Sequence, residues 1–396
     1  MIRNIQIDRF KSLHHTPLVK LGRVNLLTGA NGRGKSSFCQ SLLTLSQTWR
    51  RGMMESLLPS GIWKDLGSFD DIVYAYSEDK TIGVHIITDA ERDNDFELVY
   101  CQSAANNTLG ELQSAMVGGL SIRDDAGSSR DEEDEDELDD GGKESEIRLA
   151  SLRDFPSLIA LERMFYVAAE RKAAPAIQPL DETTPHFYVA PDGSNVLNVL
   201  WKNSDRESIK NVQELLDFVL DGGRLRLDQA GDQLVLRINS VADGHFFQPV
   251  NVGYGYSYIL SLLASVVLAT TGSFIIVENP EAHLHPAAQA KVMNVLIAAA
   301  TERNIQLIVE THSDHILNTA LRAVNDHKLT VGDFEVLFFS NHINEDGSVE
   351  AHVQNLEVNQ LGHILNPPLG FFEQYSIDLQ ALYAPPTRQE RIPRHE

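Results

Sequence analysis

The stretch that most narrows what this chain can be is Gly29-Ala30-Asn31-Gly32-Arg33-Gly34-Lys35-Ser36-Ser37. A glycine, four free positions and then Gly-Lys-Ser is the phosphate-loop pattern, and each residue type has a physical role. The small residues let successive backbone N–H groups curl round the phosphates of a nucleotide, the Lys35 ammonium reaches the β and γ phosphates, and the Ser36 hydroxyl takes a place on Mg²⁺. The helix that follows adds its positive end. Asn31, Gly32, Arg33, Gly34, Lys35, Ser36 and Ser37 are therefore the candidate nucleotide contacts. The flanks agree: Val24 to Leu27 reads as a buried strand, and Phe38, Leu42, Leu43 and Leu45 fall at helical spacing. The competing reading, a glycine-rich turn without function, does not require this order of strand, loop and helix.

With 396 residues and 42% hydrophobic content the chain can build one large or two ordinary domains. No run of eighteen apolar residues occurs, and the most apolar segment, Ile259 to Ala269, is too short to span a bilayer. The first ten residues alternate like a strand and carry no apolar signal region. These features lead to the expectation of a soluble, cytoplasmic protein with no membrane partner. Cys39 and Cys101 cannot make a disulfide framework, and Cys39 reads as a small buried hydrophobe. The net charge of −23 excludes an all-over nucleic-acid surface. Much of that charge is local, in the run DEEDEDELDD at Asp131 to Asp140, so a local basic groove, and with it a nucleic acid partner, stays open.

In chain order, Ile2, Ile5 and Ile7 open a first strand and Val24 to Leu27 a second, which reads as a short hairpin ahead of the loop. From Ile72 to Cys101 the apolar period becomes two, the signature of antiparallel strands with one solvated face. Residues 122–146 hold almost nothing apolar and read as a disordered acidic insertion, or alternatively as a decoy that mimics nucleic acid or docks a basic partner. A short strand from Arg163 to Val167 puts Arg171 on a loop at a strand end, where it could meet a phosphate, a partner or a surface carboxylate. Ser208 to Leu220 reads as a helix, followed by strands at Leu225 to Leu227 and Leu234 to Ile238. No heptad pattern persists, so no long coiled-coil arm is expected.

The second half of a nucleotide machine is legible in the last third. Phe274 to Val277 is a continuous apolar strand ending in Glu278-Asn279-Pro280-Glu281-Ala282-His283-Leu284-His285-Pro286. An acid at the end of a buried strand is where a nucleotide-bound Mg²⁺ is held, which makes Glu278 the expected partner of Ser36. A second strand, Gln306 to Val309, ends in Glu310-Thr311-His312-Ser313 and brings His312 to the same sheet edge. His283, His285, His312 and His315 form pairs that resemble metal ligands, but no cysteine joins them, and hydrogen bonding near phosphates accounts for them equally. Upstream, Asn251 to Ser261 (NVGYGYSYILS) places glycines and a serine before a helix, a second phosphate-binding device. If both devices are used, two copies sandwich two nucleotides, each phosphate loop facing the Gly255 to Ser257 turn of the other. The alternative is an ordinary helix cap at Ser257.

Taken together, GxxxxGKS, a Gly-Ser turn opening a helix, ENPEAHLHP after an apolar strand and THSDHIL resemble the ABC-type ATPase heads of the RecF, SMC and OLD group. Within it, the chain is most similar to prokaryotic AAA-family ATPases that end in Pro-x-Gly-Phe-Phe, here Pro368 to Phe372. The resemblance implies an α/β fold with a mixed sheet core, an antiparallel β lobe and a helical lobe. It implies ATP and Mg²⁺ as ligands, Gly32, Gly34, Lys35, Ser36 and Ser37 as phosphate loop, Glu278 as the Mg²⁺-binding acid in the Walker B strand, His312 as a γ-phosphate switch, and Gly255 and Ser257 acting in trans. The expected layout is a single head: 1–121 nucleotide and β lobe, 122–146 insertion, 147–252 middle lobe, 253–340 signature, Walker B and switch, 341–396 tail.

The chain also departs from its relatives. Its signature is GYGYS, not the LSGGQ of transporters, and no glutamine is clearly placed for the Mg²⁺-contacting loop, for which Leu66 to Phe69 is the matching region. Asn279 stands where related heads carry a catalytic glutamate, so either Glu281 supplies the carboxylate or hydrolysis is slow. The residues after His312 read as two strands about the Asp346-Gly347 turn plus a terminal helix, without the acids of the Toprim nuclease that OLD proteins carry. The expected function is an ATP-hydrolysing homo-oligomer, at least a dimer, that controls a separate effector such as a nuclease in antiphage defence or DNA transactions. The alternative is a non-hydrolysing ATP-dependent scaffold that sequesters an effector.

Overall fold

The computed structural model describes residues 1–90, 94–123, 147–148, 158–204, 207–240, 244–343, 349–368 and 371–372. Two sheets share the phosphate-loop helix between them. The first is six-stranded, in the order Met164–Val167, Phe274–Glu278, Gln306–Glu310, Val24–Gly29, Phe334–Ile343, Val349–Leu356. All neighbours are parallel except the last pair, which is antiparallel. Every residue of FIIVE (274–278) and QLIVE (306–310) is buried, the continuous apolar pattern of strands covered on both faces. Alternation divides them between two cores. Ile275, Val277, Leu307 and Val309 face one core, packed with the helices Glu207–Val219, Leu260–Leu268, Pro286–Arg303 and Asp314–Asn325. Phe274, Ile276 and Ile308 face the other, with Phe38, Leu42, Leu45 and Trp49 of the helix Lys35–Arg51.

The second sheet is nine-stranded and, apart from one short parallel pair, antiparallel; it runs from Ile2–Phe10 through Thr81–Thr88, Asp95–Gln102, Gly110–Val117 and Leu120–Arg123. This is the β lobe expected from the period-two stretch, so the mixed sheet core, antiparallel lobe and helical lobe all stand. The opening hairpin differs from the sequence reading. Ile2–Phe10 pairs with Leu13–His15 and with Thr81–Thr88, whereas Val24–Gly29 lies in the six-stranded sheet. Its residues Val24 to Thr28 are buried on both faces, which an edge hairpin does not allow. The expected helix near Ser208 to Leu220 runs Glu207–Val219, and the two strands after it are Arg224–Ala230 and Gln233–Asn239. Strand Leu120–Arg123 reaches two residues into the stretch read as insertion; residues 124–146 and the expected terminal helix lie outside the described residues. Of the Pro368 to Phe372 tail, Phe371 is buried edge-on against Phe338, at 5.8 Å between ring centroids.

Candidate nucleotide site

Gly29 ends the central strand with φ 125°, and a Cβ there would stand 2.1 Å from the Phe339 carbonyl oxygen, so only glycine lets the neighbouring strand this close. Gly34, at φ 100°, caps the helix Lys35–Arg51, whose first bond runs from the Phe38 N–H to the Gly34 carbonyl at 2.9 Å. Between them the loop borders a cavity of about 400 Å³ lined by Ser12, Asn31, Gly32, Gly34, Lys35, Ser36, Ser37 and Glu310. The structure thus gathers every expected phosphate-loop residue except Arg33 into one concavity.

Lys35 is buried, and its ammonium donates to the carbonyls of Gly29 (2.8 Å) and Ala30 (2.9 Å). Burial lowers its pKa, opposed by the Glu310 charge. The Ser36 hydroxyl donates to Glu310, at 3.3 and 3.4 Å from its two oxygens. Its carboxylate contact is therefore Glu310, an acid not among the expected site residues, while Glu278, expected to share a Mg²⁺ with Ser36, makes no hydrogen bond to it. The reason is register: Glu278 and Glu310 are Cα partners on adjacent parallel strands, and Glu310 is the one beside the phosphate-loop strand, opposite Leu27. Glu278 is turned to the outer side, where Tyr166 Oη (3.0 Å) and the Ala169 N–H (3.1 Å) donate to its Oε2. The two carboxylates remain neighbours, with a ligand oxygen of each within 4.8 Å of the other. Burial raises both pKa values, that of Glu310 to about 7 with the Glu278 charge as the second cause.

Glu310 and Ser12 are the contacts that sequence reasoning missed. The matching ends of FIIVE and QLIVE, two apolar strands each closing on glutamate, were a signal for Glu310. Ser12, whose hydroxyl lies 2.9 Å from that of Ser37, is delivered by the hairpin turn and has no motif.

The turn after Glu278 is held from below. Asn279 is in the left-handed region (φ 47°), and its N–H donates to the Glu310 carbonyl at 2.8 Å. Arg171, only 4% exposed, donates to the carbonyls of Ala168 (3.0 Å), Glu278 (2.7 Å) and Asn279 (2.8 Å), and its guanidinium lies 4.4 Å from the centre of the Tyr258 ring. It is thus a buried clamp and not the surface residue its loop position suggested. Glu281 Oε1 accepts the backbone N–H of His312 at 2.9 Å, while its buried Oε2 has no protein partner. Glu281 and His312 are therefore adjacent at the strand edge, and burial together with the Lys35 charge lowers the His312 pKa, favouring neutral imidazole.

The signature segment differs in detail from expectation. The short helix begins at Tyr254, so Gly255 and Ser257 lie inside it, with Gly253 in the capping position. Ser257 is buried and its hydroxyl donates to the Tyr254 carbonyl at 3.2 Å. The segment packs in cis on the turn after the acid: the rings of Tyr254 and Tyr258 each lie 4.7 Å from that of His283, and a Cβ on Gly255 would come within 2.9 Å of the His283 carbonyl. His285 caps the helix Pro286–Arg303, its Nδ1 accepting from the Ala287 N–H at 3.3 Å. In the region expected to contact Mg²⁺, Ser68 and Asp71 form a capping box.

A phosphate loop on the central strand of a mixed sheet, two acids closing the adjacent strands and a packed antiparallel lobe define the head fold of the ABC/SMC type. Residues 124–318 match the family model described as "AAA domain, putative AbiEii toxin, Type IV TA system". Among solved structures the chain is similar to an SMC head bound to the C-winged helix domain of ScpA, at 14% identity and a TM-score of 0.51, covering 90% of this chain and 98% of that one. It is also similar to the SMC head domain from Thermotoga maritima, at 12% identity and a TM-score of 0.46, covering 90% and 99%. No curated protein matches the sequence. The family match and the fold support an ATPase head of this type, and among the described residues no helix is long and apolar enough to cross a membrane.

Proposed function

We propose that the chain binds and hydrolyses Mg-ATP in the phosphate-loop cavity and uses the nucleotide to close on a second copy of itself, thereby controlling a separate effector in antiphage defence or DNA transactions. The observation that carries this reading is the Ser36–Glu310 contact beside Lys35, with Glu278 alongside. Two neighbouring buried carboxylates with raised pKa values are the donor set that a divalent cation relieves, and a hydroxyl with oxygen acids suits Mg²⁺. Ser36, Glu310 and Glu278 would hold it, directly or through water. When bound, Mg²⁺ would neutralise charge on the phosphate oxygens.

The residues divide the remaining work. Lys35 exchanges its two carbonyl partners for β and γ phosphate oxygens, which turns a partly desolvated cation toward an anion. Glu281 is the general base, for its Oε2 has no partner and its carboxylate adjoins His312; Asn279 cannot fill that role because an amide carries no negative charge. His312, neutral and beside Glu281, takes the part of γ-phosphate sensor. Gly255 and Ser257 act in trans through the exposed edge of their helix, Gly253 and Tyr254, since the Ser257 hydroxyl is engaged inward. Steady-state phosphate release by the wild type, and its loss in Glu281→Gln with ATP binding retained, tests the reading. A chain that binds ATP and releases no phosphate would be the sequestering scaffold instead.

A further inference from the structure

Cys39 lies one helical turn beyond Ser36 and faces the sheet. It is fully buried, and its Sγ and one carboxylate oxygen each of Glu278 and Glu310 all lie within 4.8 Å of one another. Of the basic side chains beside this trio, Lys35 donates to the Gly29 and Ala30 carbonyls and Arg171 to the carbonyls of Ala168, Glu278 and Asn279. Two carboxylates and a thiol thus converge behind the wall of the phosphate cavity, which Glu310 lines, and neither cation makes a hydrogen bond to either carboxylate. The spacing suits a single cation: metal–sulfur and metal–oxygen bonds of about 2.3 and 2.1 Å put such ligands roughly 3.5 Å apart, so closing on an ion needs side-chain shifts of about 1 Å. Thiolate is the wrong ligand for Mg²⁺, which takes oxygen and keeps its waters, and the right one for the softer zinc-class ions.

We infer that, without nucleotide, Cys39, Glu278 and Glu310 form a site for a soft divalent cation of the zinc and cadmium class. Glu310 lines the cavity and gives the ion its way in. On binding, the thiol proton leaves to solvent and a metal–sulfur bond forms, with no change of oxidation state. The same two carboxylates serve the Mg²⁺ of the proposed function, so the soft ion and Mg-ATP exclude each other. This competition rests on the Mg-ATP reading; the binding of the soft ion does not.

The test is a Cd²⁺ titration of the full-length, nucleotide-free protein, read by the thiolate-to-Cd²⁺ charge-transfer absorption and by calorimetry. The other cysteine, Cys101, is partly exposed, so the titration is run in Cys101→Ser as well as in wild type. The band is expected in both and absent in Cys39→Ser, with Cd²⁺ affinity lowered at least tenfold and Mn²⁺ affinity changed less than threefold. Glu310→Gln should weaken Cd²⁺ binding as well, and circular dichroism checks that each variant is folded. A band that persists in Cys39→Ser, or is missing in Cys101→Ser, overturns the site. If Cd²⁺ binds through Cys39 but excess Mg-ATP fails to displace it, the soft-ion site stands and the competition is overturned.

Discussion

Glu310 sets the electrostatics of the phosphate cavity, because it is buried beside a second acid and only partly balanced by Lys35. Its folded pKa of about 7 lies above the ordinary glutamate value, so neutral Glu310 is the form that folding favours. The stability this gives is complete below about pH 4.5 and is lost as pH rises through about 7, a difference on the order of 3 kcal/mol. Glu310→Gln removes that dependence: the nucleotide-free variant should gain thermal stability over wild type at pH 8 and little at pH 5. A variant whose advantage is the same at both pH values would show that Glu310 is ionised throughout. At the strand edge, Glu281→Gln should lower ATP turnover at least tenfold, a general base being worth roughly 10²- to 10⁴-fold. Wild-type turnover in that variant would leave water to be positioned by Asn279 and His312 alone. The placement of Glu278, Glu281 and His312 at one sheet edge was legible because each closes or follows an apolar strand. What sequence could not give was which acid meets Ser36, since that depends on strand order in the sheet and not on distance along the chain.

The elements themselves were read well where period and burial agree. FIIVE and QLIVE announce strands covered on both faces, and the alternation from Ile72 to Cys101 announces a sheet with one wet face. The opening strands were misjudged because Ile2–Phe10 and Val24–Gly29 are close in sequence yet belong to different sheets, and pairing between sequence neighbours is only the common case. Arg171 was unreadable for a related reason: a loop arginine becomes a buried clamp only once the signature helix and the Glu278 turn fold over it. Arg171→Met keeps the bulk and removes the donors to three carbonyls; it should destabilise the chain by about 2 to 4 kcal/mol, seen in chemical denaturation. A loss under about 1 kcal/mol would mean water replaces the guanidinium. By composition, deleting residues 124–145 should change the melting temperature by less than about 5 °C; a larger fall would show that the segment packs against the head.

Over the whole molecule, two cores on either face of one sheet pack its strands against the helices next to the phosphate loop, the acid turn and the signature segment. In the proposed function such a head closes on a second copy over nucleotide. Gly253 is exposed and a Cβ there meets only ordinary contacts with Tyr256, so Gly253→Arg should fold and bind ATP yet fail to form the ATP-dependent dimer in light scattering. An unaltered dimer would remove the signature helix from the interface. All of this depends on the phosphate loop holding ATP, and calorimetry of Mg-ATP with wild type and Lys35→Ala measures that directly. Wild type should bind with saturable heat, and Lys35→Ala should lose most of the affinity because the cation on the β and γ phosphates is gone from a preorganised loop; equal affinity in the two proteins would contradict the nucleotide site.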